Sequence, residues 1–462
     1  MPRQLDRSIA ELARDLRAGK LTASALAEEA IANHERRGKK LNAYKLWKPA
    51  DARRTARAAD EAFKRGYDLG PLQGIPVSVK DLYAVEGWPT YAGSPKRLPR
   101  EYEVEGPIIR DLRRQLAVFP GKTHTVEFAY GGVGTNLHWG TPRNPWDAKH
   151  PRVPGGSSSG AGVSLCEGSA LVALGSDTGG SVRIPASLTG NVGIKTTAGR
   201  WPLAGIVPLS PTLDTAGILT KSVADAAYAF ADMDPLAKRL PDLRSVAGLR
   251  IGVADRFFWD GCSPGIVEGV ERALKELERA GARLVKFSLP GLKPVYDCFR
   301  EGGIVSVEFY ATLLNKLPAW IKTLDPMVVQ RFAKAREMTA AEFVRRLRLF
   351  EDNARIANAR LPEIDALVSP TIAITPPTMA EVSTVEGYGP RNLMVLRNTT
   401  IGNLLRMCAV TMPVARDRKG MPVGLQLMAA GGDDARLLAI ALACEGVLGD
   451  GRRRIGTPPM CR

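Results

Sequence analysis

The sequence predicts an α/β protein folded as one large domain, on three observations. Short apolar runs at residues 117–121, 170–175, 249–254, 283–288 and 364–368 read as buried strands. Helical stretches lie between several of them, notably 264–282 ahead of the Ala282-Arg283-Leu284-Val285 run. No repeat, low-complexity tract or Pro/Ser-rich linker divides the 462 residues. Length alone suggests two or three domains, but an undivided chain of this size buries about three quarters of its extended surface in one core. A single domain over 1–462 is therefore expected, with a helical elaboration over about 290–360.

The chain opens with helices. Residues 8–37 and 50–65 repeat apolar side chains at helical spacing, and Thr22 and Asp51 are the expected caps. Gly74-Ile75-Pro76-Val77-Ser78-Val79-Lys80-Asp81 then switches to a period of two. Ile75, Val77 and Val79 point one way and Ser78 and Lys80 the other, as in a strand that ends on a lysine.

Composition excludes several classes. An apolar fraction of 45% and a charged fraction of 24% fit a globular protein and argue against disorder, collagen-like repeats and a membrane span. The charged N-terminus lacks the apolar stretch of a secretory signal, so a cytoplasmic location is expected. Six cysteines without CxxC pairs suggest packing thiols, and the four histidines show no metal-ligand spacing, so no metal or other cofactor is expected. The net charge of +16 raises the question of a polyanionic partner. Its basic residues are interleaved with acids along helical stretches, which reads as solvated helix faces and disfavours nucleic acid. A homodimer is compatible with these features.

The informative centre is Pro154-Gly155-Gly156-Ser157-Ser158-Ser159-Gly160-Ala161-Gly162, followed by Leu174-Gly175-Ser176-Asp177-Thr178-Gly179-Gly180-Ser181-Val182-Arg183-Ile184-Pro185-Ala186. Such glycine density lets backbone N–H groups converge on an anionic centre. The phosphate-binding patterns GxxxxGK[ST] and GxGxxG are not met, and neither serine sits in a GxSxG elbow with an identifiable histidine partner. A helix over 161–168 would carry the chain away by roughly 12 Å, and a strand over 170–175 would return it by roughly 17 Å. Both loops then lie at one end of the sheet, with Ser157 near Ser181. Lys80 is the remaining base, because burial lowers a lysine pKa. The plainer readings are a Lys80–Asp81 ion pair, helix capping by Ser157, Ser158 or Ser159, support roles for Asp177 and Arg183, and packing for Cys166.

Taken together, the Gly74-to-Asp81 motif, the Gly155-to-Gly160 serine run and the Asp177-to-Ala186 loop resemble the amidase signature family of serine hydrolases. The resemblance extends to Gly121-Lys122-Thr123, Glu127-Phe128-Ala129, Asn144-Pro145-Trp146, Gly193-Ile194-Lys195-Thr196 and, near the C-terminus, Met412-Pro413-Val414 and Gly420–Gln426. It implies a mixed central sheet covered by helices in an α/β/α domain, with the core motifs over 70–220. It also implies that Ser181 is the acyl-enzyme nucleophile, Ser157 the bridging serine after a cis Gly156–Ser157 bond, and Lys80 the base.

On this reading, neutral Lys80 takes a proton from Ser157 as Ser157 takes that of Ser181, and Ser181 attacks an amide carbon. The N–H groups of Thr178, Gly179, Gly180 and Ser181 would form the oxyanion hole. Register with the family puts Ala129 near the acyl pocket, shaped by Tyr130, Trp139, Trp201 and the segment after 290. Residues 197–202 and 205–208 look more like indoleacetamide and mandelamide hydrolases than like the glutaminase component of glutamyl-tRNA amidotransferase. The expected substrate is thus a small aryl or alkyl primary amide. The alternatives are such a glutaminase component, working with an amidotransferase partner, and a basic RNA-binding protein.

Overall fold

The computed structural model describes residues 4–237 and 239–462. Its centre is one sheet of eleven strands: β1 (Tyr44–Trp47), β2 (Val77–Lys80), β3 (Gly121–Thr123), β4 (Val172–Ser176), β5 (Val192–Lys195), β6 (Ala216–Thr220), β7 (Arg250–Val253), β8 (Arg283–Lys286), β9 (Ala366–Pro370), β10 (Cys408–Arg416) and β11 (Pro422–Ala429). Their spatial order is β1-β3-β2-β4-β6-β5-β10-β11-β9-β7-β8. The triplets β3-β2-β4 and β9-β7-β8 are parallel, and the strands joining them run antiparallel. The sheet is mixed, as the resemblance implied.

Side-chain alternation makes three layers. Val172 and Leu174 of β4 join Val77 and Val79 of β2 in an apolar cluster with Leu12 and Leu26 of the N-terminal helices. Ala173, pointing the other way, packs with Ala161, Leu165, Val182 and Ala186 of two helices, Ser159–Glu167 and Arg183–Thr189. Both faces of these strands are therefore dry, which suits parallel strands.

The N-terminal helical stretch is divided. Ser8 caps the helix Ile9–Arg17 through a capping box, and Thr22 caps Ala23–Leu41 by accepting from Ala25 N. Asp51 does not cap the next helix, Pro49–Lys64, which starts at the preceding proline; a ring-fixed φ suits the first helical position. Asp51 sits in the first turn and accepts from Trp88 Nε1 at 2.7 Å. The strand expected over 117–121 is displaced to β3, because Pro120 cannot donate to a ladder. Val118 makes only an isolated bridge to Pro76.

Between β8 and β9 the chain leaves the sheet as the helices Leu292–Arg300, Val305–Lys316, Pro326–Phe332 and Ala340–Arg360. Phe309 and Phe332 anchor this excursion against Phe128 and Tyr130. Exposed i,i+3 pairs such as Lys64–Glu61 and Arg355–Asp352 show the expected interleaving of charge on helix faces. Among the described residues no helix is long and apolar enough to cross a membrane.

Candidate active site

Parallel neighbours end together, and the site begins there. β2 and β4 pair with Val79 opposite Leu174, so Lys80 emerges beside Ser176. Lys80 Nζ lies 2.8 Å from Ser157 Oγ and 2.9 Å from Ser176 Oγ. It is fully buried, and burial pushes its pKa from the ordinary 10.5 down to about 7 against the opposing pull of Asp177 and Asp214. Ile75, Val77 and Val79 do not supply that dry surrounding. They pack on the opposite face, while Ser78 on the Lys80 face meets Ser164 of the serine helix at 2.9 Å. Asp81 pairs with Lys122 at 2.8 Å, which sets aside a Lys80–Asp81 pair.

The serine run enters its helix with its hydroxyls uncommitted to capping. The first helical N–H groups go to backbone oxygens: Ser159 N to Ser157 O, Gly160 N to His124 O and Ala161 N to Ser158 O. Ser158 stands at the cap position without a side-chain cap bond, and Ser159 Oγ is buried without a partner. The capping expected of these serines is therefore replaced by main-chain bonds. The Gly156–Ser157 bond is cis. Helix and strand return the chain as their lengths require, and Ser158 N donates to Ser181 O at 3.2 Å. Ser157 and Ser181 are brought to the same end of the sheet.

Asp177 and Arg183 hold the second loop. Asp177 Oδ1 accepts from Gly180 N at 2.7 Å, and Oδ2 accepts from Val182 N at 3.1 Å. Arg183 donates to both carboxylate oxygens and also to Thr399 O and Gln426 Oε1, each at 2.8 Å. Burial alone would raise the Asp177 carboxyl, but the Arg183 charge overcomes it and leaves the group well below the usual range. This pair supports the loop, as the sequence suggested.

One expected donor is diverted. Thr178, Gly179 and Ser181 line a cavity of about 240 Å³, whereas Gly180 gives its N–H to Asp177. Gly180 has φ 130°, and a Cβ there would sit 2.1 Å from Thr399 Oγ1. It shapes the loop in place of facing the cavity. Thr178 is fixed from behind by Oγ1 donating to Asp214 at 2.5 Å; burial raises the Asp214 carboxyl to about 6.

The remaining wall comes from distant segments. Ala129 and Tyr130 line the cavity, as do Phe299, Arg300, Gln330, Arg331, Tyr388 and Asn392. Phe128 and Ala129 have φ of 47° and 61°, a turn that non-glycine residues seldom adopt. Trp139 and Trp201, expected to shape the pocket, are elsewhere. Trp139 lies under Lys45 Nζ at 3.4 Å, and Trp201 is buried against Phe230. No histidine is on the wall. His138 stands 3.3 Å from Glu127, and His150 is exposed beside Asp147. Cys166 donates to Thr189 O, and burial pushes its thiol up to about 12, which fits a packing role.

Lys80, Ser157 and the loop carrying Ser181 thus meet at one end of the sheet, beside a cavity that Ser181 lines. The chain belongs to the amidase family, whose model matches residues 25–438. It is a hydrolase acting on amide-type C–N bonds. Over 455 residues, 98% of both chains, it is 50% identical to the 2-amino-5-chloromuconic acid deaminase of Comamonas testosteroni. It is 32% identical to the A component of the glutamyl-tRNA(Gln) amidotransferase of Cupriavidus necator, over 95% of this chain and 96% of that one. An amidase crystal structure matches with a TM-score of 0.86 and 33% identity, covering 96% of this chain and all of the other. The peptide amidase of Stenotrophomonas maltophilia matches with a TM-score of 0.78 and 26% identity over the full length of both.

Proposed function

We propose that this protein releases ammonia from a small C–N substrate through a covalent intermediate on Ser181, with Lys80 as base and Ser157 as relay. The observation that carries the reading is the 2.8 Å contact between Ser157 Oγ and a fully buried Lys80 Nζ. Neutral Lys80 accepts the Ser157 proton, Ser157 accepts that of Ser181, and Ser181 Oγ bonds to the substrate carbon. The N–H groups of Thr178, Gly179 and Ser181 stabilise the developing oxyanion; one such donor is typically worth about 3 kcal/mol. Ser157 then returns a proton to the leaving nitrogen, and water cleaves the acyl-enzyme. The whole chain forms one catalytic domain, with the excursion over about 290–360 supplying cavity wall.

Half-identity with a deaminase of an amino-muconic acid supports a narrower form of this reading, in which the C–N bond belongs to an amino-substituted unsaturated acid. There the amine sits on an unsaturated carbon and no acyl-enzyme forms: Ser181 Oγ adds to the carbon of the imine tautomer, ammonia leaves, and water displaces Ser181 to give the 2-oxo acid, so one water is consumed and one ammonia leaves. The test is fluorophosphonate labelling with peptide mapping, followed by ammonia release from primary amides, glutamine and 2-aminomuconate. Labelling at Ser181, and turnover abolished in Ser181→Ala, are expected. Label on another residue, or ammonia release that persists in Ser181→Ala, overturns the assignment.

A further inference from the structure

We infer that Arg331 binds a carboxylate of the substrate, which makes the cavity a site for anionic small molecules. The inference rests on the reading that the Ser181 cavity is the substrate site. The charge of the wall is one-sided: its lining includes Arg300 and Arg331 and contains no aspartate or glutamate. Arg300 is exposed, at the end of the helix Leu292–Arg300. Arg331 is set deeper, and its Nη1 is buried without a hydrogen-bond partner. A buried cationic donor left unpaired is costly, so it persists where a ligand supplies the acceptor.

Arg331 is also held in place. Its guanidinium carbon lies 4.2 Å from the centre of the Tyr130 ring, and Tyr130 Oη donates to Arg331 O at 3.2 Å. The helix that carries it, Pro326–Phe332, is tied at its start by Asp325 N donating to buried Glu127 Oε2 at 2.7 Å. Glu127 and Tyr130 flank Ala129 in sequence, so one turn of chain positions both the cavity wall and the arginine. Gly131 keeps the space open: a Cβ there would lie 2.5 Å from Tyr388 Oη and 3.9 Å from Arg331 Nη1. A planar guanidinium lying over an aromatic ring, with Nη1 buried and beside the Tyr388 hydroxyl, suits a carboxylate better than a neutral amide or ester.

The experiment uses full-length Ser181→Ala protein, so that binding is read without turnover. Calorimetric titration compares muconate dianion with its neutral dimethyl ester, in the parent and after adding Arg331→Met or Arg331→Lys. Muconate is expected to bind the parent at least tenfold more tightly than the ester. Arg331→Met should weaken muconate at least tenfold and the ester less than twofold, with Arg331→Lys intermediate. Thermal melts report folding; if the methionine variant does not fold, the lysine variant carries the comparison. Muconate that fails to bind the parent, binds no better than the ester, or keeps its affinity in a folded Arg331 variant overturns the inference. Failure of the Ser181 assignment would appear separately, as persistent turnover in Ser181→Ala, and leaves this binding comparison intact.

Discussion

Replacing Lys80 with methionine keeps the length and apolar stem of the side chain and removes the amine that touches Ser157 and Ser176 at 2.8 and 2.9 Å. An amine with the ordinary lysine pKa is neutral in about one molecule in 2,500 at pH 7. At a pKa of about 7 it is neutral in about half. That displacement represents roughly 5 kcal/mol of bias against the charged form. Activity of the native protein should therefore rise through pH 7 and level off above about pH 8.5. Loss of the base should cost the methionine variant about 10²- to 10⁴-fold in kcat. Stability carries a second signature. Between about pH 7 and 10.5 the folded state holds fewer protons than the unfolded state, so stability rises with pH across that window. From pH 6 to 9 the native chain should gain about 3 kcal/mol over Lys80→Met in urea unfolding. A flat rate profile from pH 5 to 10 with chemistry rate-limiting, turnover within tenfold of native in the variant, or parallel stability profiles would refute a buried neutral lysine.

Three further outcomes follow from the geometry. Asp177→Asn leaves the fully buried Arg183 without its counter-charge, so calorimetry should show a loss of about 3–5 kcal/mol together with loss of turnover. Gly180→Ala forces a Cβ to 2.1 Å from Thr399 Oγ1 at φ 130°; activity should fall sharply, and the double variant with Thr399→Ser should not restore it, because the hydroxyl remains. Glu127 is held at about 8 mainly by burial, so its folded state keeps a proton that the unfolded chain loses above about 4.5. Its stabilising contribution is thus present below pH 4.5 and lost as pH rises toward 8. Glu127→Gln should match the native melting temperature near pH 5 and exceed it at pH 9.

The gathering of Lys80, Ser157 and Ser181 at one end of the sheet was legible because it follows from local geometry, whereas the roles proposed for them came from the family resemblance. Strand alternation put Lys80 opposite Val79, and the opposed travel of one helix and one strand returned Ser181 to Ser157. The centre of the sheet was harder to read. β10 and β11 are buried on both faces for nearly their whole length, so they show no alternation that separates strand from buried helix. Gly180 misled for a related reason: its N–H is taken by Asp177, a bond set by the Arg183 network and invisible in a run of loop residues. Ser176 did carry a signal, since the residue ending the strand parallel to β2 must stand beside Lys80. Arg331 carried none. It lies in a segment whose basic residues alternate with acids, and only packing of Phe309 and Phe332 against Phe128 and Tyr130 turns that segment toward the cavity.

This division has a consequence for how the molecule can change. The proton relay we propose depends on strand register and on the buried Asp177–Arg183 pair, so a shift of either strand displaces Lys80 and unpairs charges together. Such changes cost both fold and activity. The cavity wall at 299, 300, 330 and 331 hangs on a helical excursion that leaves the sheet after β8 and rejoins it at β9, and its anchors include apolar contacts, Asp325 N donating to Glu127, Tyr130 Oη donating to Arg331 O, and the Ser210 and Thr212 hydroxyls donating to Glu308. Apolar contacts tolerate volume-conserving exchange. Side chains at 299, 300, 330 and 331 can accordingly vary without disturbing Lys80, Ser157 or Ser181. Exchanging this excursion with that of a relative should then move substrate preference while leaving the pH dependence proposed for Lys80 in place.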